Sequence, residues 1–153
     1  MLAKSQRFSF DELGASGGQS GTLPYLPLKL AYQGNLLSAH GLLDTGATVN
    51  VLPYSLGEQL GAEWESQATA LRLTGNLAQY EARALVLEAQ VGAFAPVKLA
   101  FAWTRALNVP LILGQVNFFL EFDVCFSASK KTFELRRRDF QGEFSSQENP
   151  RFS

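Results

Sequence analysis

The stretch GLLDTGATVNVLP, residues 41–53, decides how this chain is read. Leu42 and Leu43 form an apolar pair that leads into Asp44. Thr45, Gly46 and Ala47 are small enough for a tight bend, and Val49, Val51 and Leu52 resume an apolar strand. Pro53 can open a helix, because its missing amide would be unpaired in a first turn anyway. Gly61 stands where a C-terminal cap belongs, so a short helix is predicted over residues 53–60. The unit is strand, bend, strand, with one carboxylate at the bend. Taken alone, Asp44 could be a mere turn former whose carboxylate accepts from neighbouring amides.

Outward from this unit, period-two alternation dominates. In YLPLKLAY, Tyr25–Tyr32, residues Leu26, Leu28, Leu30 and Tyr32 share one side and Pro27, Lys29 and Ala31 the other. This is the pattern of a half-buried strand, and Pro27 suggests an edge. Gln33-Gly34-Asn35 supplies a turn, after which residues 36–43 form a second strand reaching Asp44. Residues 69–74 and 77–91 are expected to make a long hairpin about Gly75-Asn76; the Ala, Leu and Glu content of residues 77–90 also suits a helix, but alternation beside the turn favours strand. Further strands are predicted over residues 97–103, 111–113, 122–126 and 132–136, with a short helix over residues 115–121. Strands without regular helix alternation predict an all-β, barrel-like domain. Leu42-Leu43-Asp44-Thr45-Gly46 and Ile112-Leu113-Gly114 also echo each other, as two half-domains of similar plan would.

Length and composition narrow the function. At 153 residues the chain suits one domain, and a net charge of -1 leaves no general attraction for nucleic acid or anionic membrane. Arg136-Arg137-Arg138 is then expected to be a solvated strand edge. The N-terminus has no apolar run of the secretory kind, and residues 109–126 are interrupted by Gln115, Asn117, Glu121 and Asp123, so a soluble, cytoplasmic protein is expected. The glycine-rich GASGGQSG, residues 14–21, suggests a flexible leader over 1–21, a folded domain over 22–138 and a disordered tail over 139–153. One histidine and one cysteine cannot assemble the usual metal ligands. Cys125, in an alternating stretch, is expected to be a buried small hydrophobe. His40 lies four residues from Asp44, roughly 13 Å along an extended strand, too far for a serine-histidine-aspartate arrangement.

With these elements in order, the chain resembles the retroviral-type aspartic proteases, or retropepsins, in their bacterial and cyanobacterial branch. That family carries an apolar pair, Asp-Thr/Ser-Gly-Ala, a strand, a flap hairpin, and a later apolar pair plus glycine followed by a helix. The likeness spans residues 24–136, and LILGQVNFFLEFDVCF, residues 111–126, is similar to the C-terminal half of bacterial members. It departs at Gln115, where many members carry Arg, and at Ala47-Thr48, which lacks the second acid of viral enzymes.

The resemblance implies an all-β retropepsin-like acid protease barrel with one or two short helices and one half-site per chain. It implies an aspartic endopeptidase acting on peptide or protein substrates, with Asp44, Thr45 and Gly46 as the catalytic turn. Thr45 would bridge two such turns, the Gly46 amide would reach the carboxylates, and substrate would lie across Ala47. Leu73, Gly75 and Leu77 would form the flap tip, and Leu107 and Val109 the wall of the substrate site. Trp103 would belong to that wall or, equally, to the core. Hydrolysis by a carboxylate pair needs one ionised acid to take a proton from water and one neutral acid to donate to the carbonyl. The chain has one acid in such a turn, so the second must come from the same turn of a two-fold partner. A homodimer is therefore required, with no metal, no organic cofactor, no nucleic acid and no membrane. The rival is a non-catalytic protease-like domain for dimerisation or for peptide binding by strand addition.

Overall fold

A computed structural model describes residues 5–10, 23–67, 70–73 and 75–138. The chain order is β1 (Ser5–Ser9), β2 (Tyr25–Tyr32), β3 (Asn35–Leu43), β4 (Asn50–Pro53), α1 (Tyr54–Gln59), β5 (Ala70–Leu71), β6 (Ala82–Gln90), β7 (Val97–Thr104), β8 (Ile112–Leu113), α2 (Phe118–Glu121), β9 (Phe122–Ser127) and β10 (Thr132–Arg137). Single 3-10 turns occur at Trp64–Ser66 and Gly75–Leu77. Strands β2, β3, β8, β4, β7 and β6 are neighbours in that order, and a β2–β6 pairing closes them into a six-stranded barrel. β5 hangs on β6, while β1, β10 and β9 make a separate antiparallel sheet. The architecture is all-β with two short α-helices.

The alternation in β2 becomes burial. Leu26, Leu28 and Leu30 enter the core, and Pro27 sits opposite His40 of β3. β6 pairs with β2 only at Lys29, Leu30 and Ala31, so Pro27 interrupts no ladder on that side. The β2–β3 turn takes positive φ at both central residues, Gln33 at 47° and Gly34 at 89°, the geometry that matches strand twist in a two-residue hairpin. α1 starts after Pro53 and ends before Gly61, which adopts φ 84° and donates its amide to Glu58 O at 2.9 Å.

The core is aromatic as well as aliphatic. Trp103 is fully buried, so the structure assigns it to the core. It stacks on Tyr54 at 5.3 Å, meets Trp64 edge-on at 5.1 Å, and donates Nε1–H to Tyr54 O at 3.1 Å. At Gly57 a Cβ would lie 2.3 Å from the Trp103 ring, so the helix can approach the indole only through glycine.

Four expectations change. Ser5–Ser9, within the stretch expected to be a flexible leader, is a strand whose Phe8 stacks on Phe133 at 5.4 Å. Cys125 is exposed, because it shares a face of β9 with exposed Asp123, while Phe122 and Val124 turn toward the core. The hairpin after residue 69 is shorter than predicted: its second arm begins at Ala82, and Gly75–Leu77 is a 3-10 turn. The second helix begins at Phe118 instead of residue 115. Residues 11–22 and 139–153, which include GASGGQSG and the expected tail, lie outside the described residues.

Candidate active site

Asp44 follows β3 directly, and the position of β3 is set by β8. The two run parallel, with Leu42 beside Ile112 and Leu43 beside Leu113, so the two apolar pairs recognised in the sequence are spatial partners. The Asp44 amide donates to Leu113 O at 3.0 Å. Beyond it the chain bends: the Ala47 amide returns to Asp44 O at 3.1 Å, and the Gly46 amide donates to Asp44 Oδ1 at 2.9 Å. The bend thus fixes the carboxylate rotamer through one of its two oxygens. Asp44 is half-buried, while Thr45 and Gly46 are exposed.

A second layer holds the bend from behind. Gln115 N–H donates to Ala47 O at 2.9 Å and Val116 N–H to Thr48 O at 2.8 Å, and Asn50 N–H donates to Val116 O at 3.1 Å. The Gln115 side chain adds Nε2–H to Thr45 O at 2.8 Å, so this position braces the turn by a neutral hydrogen bond. Gly114 crosses so closely that a Cβ would fall 2.6 Å from Val49 O and 2.8 Å from Ala47 O, both backbone atoms. Only glycine fits there.

Asn50 was not anticipated. It is fully buried and satisfied on both sides: Oδ1 accepts from Gly114 N–H at 2.8 Å, and Nδ2 donates to Ala100 O at 3.0 Å and Asn117 Oδ1 at 3.2 Å. One side chain thereby ties β4, β7 and the Gly114 crossing together. An asparagine inside the apolar run Val49–Leu52 was the available signal, since strands disfavour it unless a polar partner is present.

A cavity of about 290 Å³ opens at the carboxylate. It brings Asp44, Gly46 and Ala47 together with Leu73, Gly75 and Leu77, six of the nine expected site residues. Thr45 stands beside it at the exposed tip of the turn. Leu107 and Val109 are elsewhere: with Tyr54 and Arg105 they line another cavity of about 450 Å³. The segment expected to form a flap packs inward, with Leu73 buried against Ala82 and Ala102 and Leu77 packed on the same cluster. That burial explains the short hairpin, because the two leucines gain more from apolar contact than from extending a two-stranded ribbon. Thr48, Val49, Val51, Arg72 and Ile112 complete the walls and were not foreseen as site residues. Among the described residues no group of three or more His, Cys, Asp or Glu could hold a metal ion, and no helix is long and apolar enough to cross a membrane.

Comparison with known proteins bears on the fold. No protein-family model and no curated protein matches the chain. Among solved structures, the chain is similar to a retropepsin-like aspartic protease from Rickettsia conorii, with 13% identity over 87% of this chain and 91% of that one and a TM-score of 0.58. It is also similar to the retroviral protease-like domain of Ddi1 from Leishmania major, with 12% identity over 80% and 98% and a TM-score of 0.54. The chain therefore has the retropepsin-like fold of aspartic proteases.

Proposed function

We propose that the chain is an aspartic endopeptidase that works as a homodimer, with Asp44 from each copy sharing one water and one proton. The observation that carries this reading is the setting of Asp44: a half-buried carboxylate, oriented by the Gly46 amide, at the edge of a cavity whose described lining contains no other acid. A turn former needs no cavity, and a peptide-binding module needs no acid in it. Two such turns meeting on a two-fold axis would supply the pair.

In that pair, like charges about 3 Å apart cannot both ionise, so one carboxylate is charged and the other neutral. The charged one takes a proton from water as the water oxygen attacks the peptide carbonyl carbon. The neutral one gives its proton to the carbonyl oxygen, leaving a neutral gem-diol. Collapse breaks the C–N bond, with one proton moving to the departing nitrogen and one back to the carboxylates, so the dyad is restored. Thr45, at the exposed tip, would meet its own copy across the axis, and Gln115 would hold its carbonyl in position. Leu73, Gly75 and Leu77 would open to admit peptide and fold down over it, excluding water. Leu107 and Val109 would contact more distant parts of a long substrate.

Asp44→Asn tests this directly. The amide oxygen can still accept from Gly46 N–H, so the bend should survive, while the proton-accepting oxygen is lost. Cleavage of a diverse peptide library by the purified protein should fall by roughly 10²–10⁴-fold. Undiminished cleavage would refute the mechanism, and peptide binding without cleavage by the wild-type protein would move the chain to the non-catalytic reading.

A further inference from the structure

Resting on the reading that the Asp44 cavity receives a peptide, we propose that Arg72 selects the substrate: peptides bearing an Asp or Glu side chain close to an apolar cleavage site.

Arg72 lies between β5 and the Gly75–Leu77 turn, exposed, and it is the one cation in the described lining of the cavity. Four other arginines are engaged. Arg83 pairs with Glu81 at 3.1 Å, Arg137 with Glu121 at 3.1 Å and Arg138 with Asp123 at 3.0 Å, while Arg105 lies over the rings of Tyr54 and Trp64. Among the described residues Arg72 makes no such ion pair or ring contact, and it is not within 4.0 Å of the Asp44 carboxylate either. Its charge is therefore available, and the catalytic acid does not consume it. Glu81, which the β5–β6 register, continued by one residue, brings next to Arg72, is already held by Arg83.

The surrounding chemistry names the ligand group. Val51, Leu73, Leu77 and Ile112 offer apolar wall, suited to an apolar side chain at the scissile bond. A guanidinium at the margin of such a wall presents a planar fork that fits a carboxylate through two parallel N–H···O bonds. A peptide side chain that fills the apolar wall also brings its neighbours under the flap segment, within reach of that fork. In a two-fold dimer the two Arg72 side chains stand on opposite sides of the scissile bond, so the preference applies on both sides.

The test uses peptides of one apolar frame in which Glu is scanned through the four positions on either side of the cleavage site, each with a Gln twin and a Lys twin. The kcat/KM for each is measured with the wild-type protein, Arg72→Gln and Arg72→Glu, and Kd for the same peptides is measured by fluorescence anisotropy in Asp44→Asn with and without Arg72→Gln. The expected result is a Glu-over-Gln preference of roughly fivefold or more at one or more positions, which Arg72→Gln removes and Arg72→Glu turns in favour of Lys. Equal cleavage of Glu and Gln twins by the wild type, or a preference that survives Arg72→Gln, overturns the proposal while leaving the endopeptidase intact. If nothing is cleaved, an Arg72-dependent Glu preference in binding upholds the proposal and refutes the endopeptidase. Absence of that preference in binding overturns the proposal.

Discussion

Replacing Asn50 by alanine should weaken the whole site without touching a residue of the cavity. The change deletes three hydrogen bonds from a fully buried position. Asn117 Oδ1 keeps the Ala100 amide at 3.0 Å, so it is not stranded. Gly114 N–H loses its acceptor in a place water does not reach, and Ala100 O loses a donor. An orphaned buried donor costs about 1–3 kcal/mol and an under-satisfied carbonyl somewhat less, so the sum is about 2–4 kcal/mol. For a domain of this size each kcal/mol moves Tm by about 3 °C, which places the expected loss at about 6–12 °C in a thermal melt at fixed protein concentration. Asn50→Asp should cost more than alanine. It retains an oxygen for Gly114, but sets a second oxygen against Ala100 O and Asn117 Oδ1 and buries a charge. In both variants kcat should fall more than KM rises, because the Gly114 crossing supports the Asp44 bend. A melt within about 2 °C of wild type, with cleavage unchanged, would show that these bonds do not hold the bend and would refute the argument.

Gly57→Ala should overpack the aromatic core: a Cβ 2.3 Å from a fully buried indole forces either α1 or Trp103 to move, at a cost of about 1–3 kcal/mol in urea unfolding. An unshifted midpoint would mean the helix yields freely. Specific activity should fall on dilution through the dimer dissociation constant, and constant activity at concentrations where sedimentation shows only monomer would contradict a shared site.

Much of the barrel was legible because its signals are local. The alternation of Leu26, Leu28 and Leu30, the Gln33-Gly34 turn and the Pro53 and Gly61 helix limits each depend on neighbours a few residues apart, and each stands where it was expected. Asp44 announced itself through the small residues that follow it. What escaped depends on distant partners. The strand at Ser5–Ser9 exists because β10 offers it an edge and Phe133 a ring, more than a hundred residues later in the chain. Cys125 escapes because its stretch reads as alternating without fixing the phase; sharing a face with Asp123 points it outward. The 3-10 turn at Gly75–Leu77 reflects burial of Leu73 and Leu77 on Ala82 and Ala102, a tertiary preference that outweighs hairpin propensity.

The parallel pairing of β3 with β8 also bears on how the molecule comes into being. Asp44 leans on Leu113, and Thr45 on Gln115, across a gap of about seventy residues, so this bracing of the bend needs a long loop to close. Contacts of that separation form late and slowly. On a ribosome delivering residues in order, the strand carrying Asp44 would wait for β8 to emerge before its bend could gain the braces from Leu113 and Gln115. The turn that bears Asp44 therefore reaches its finished, braced form only once most of the polypeptide has been made.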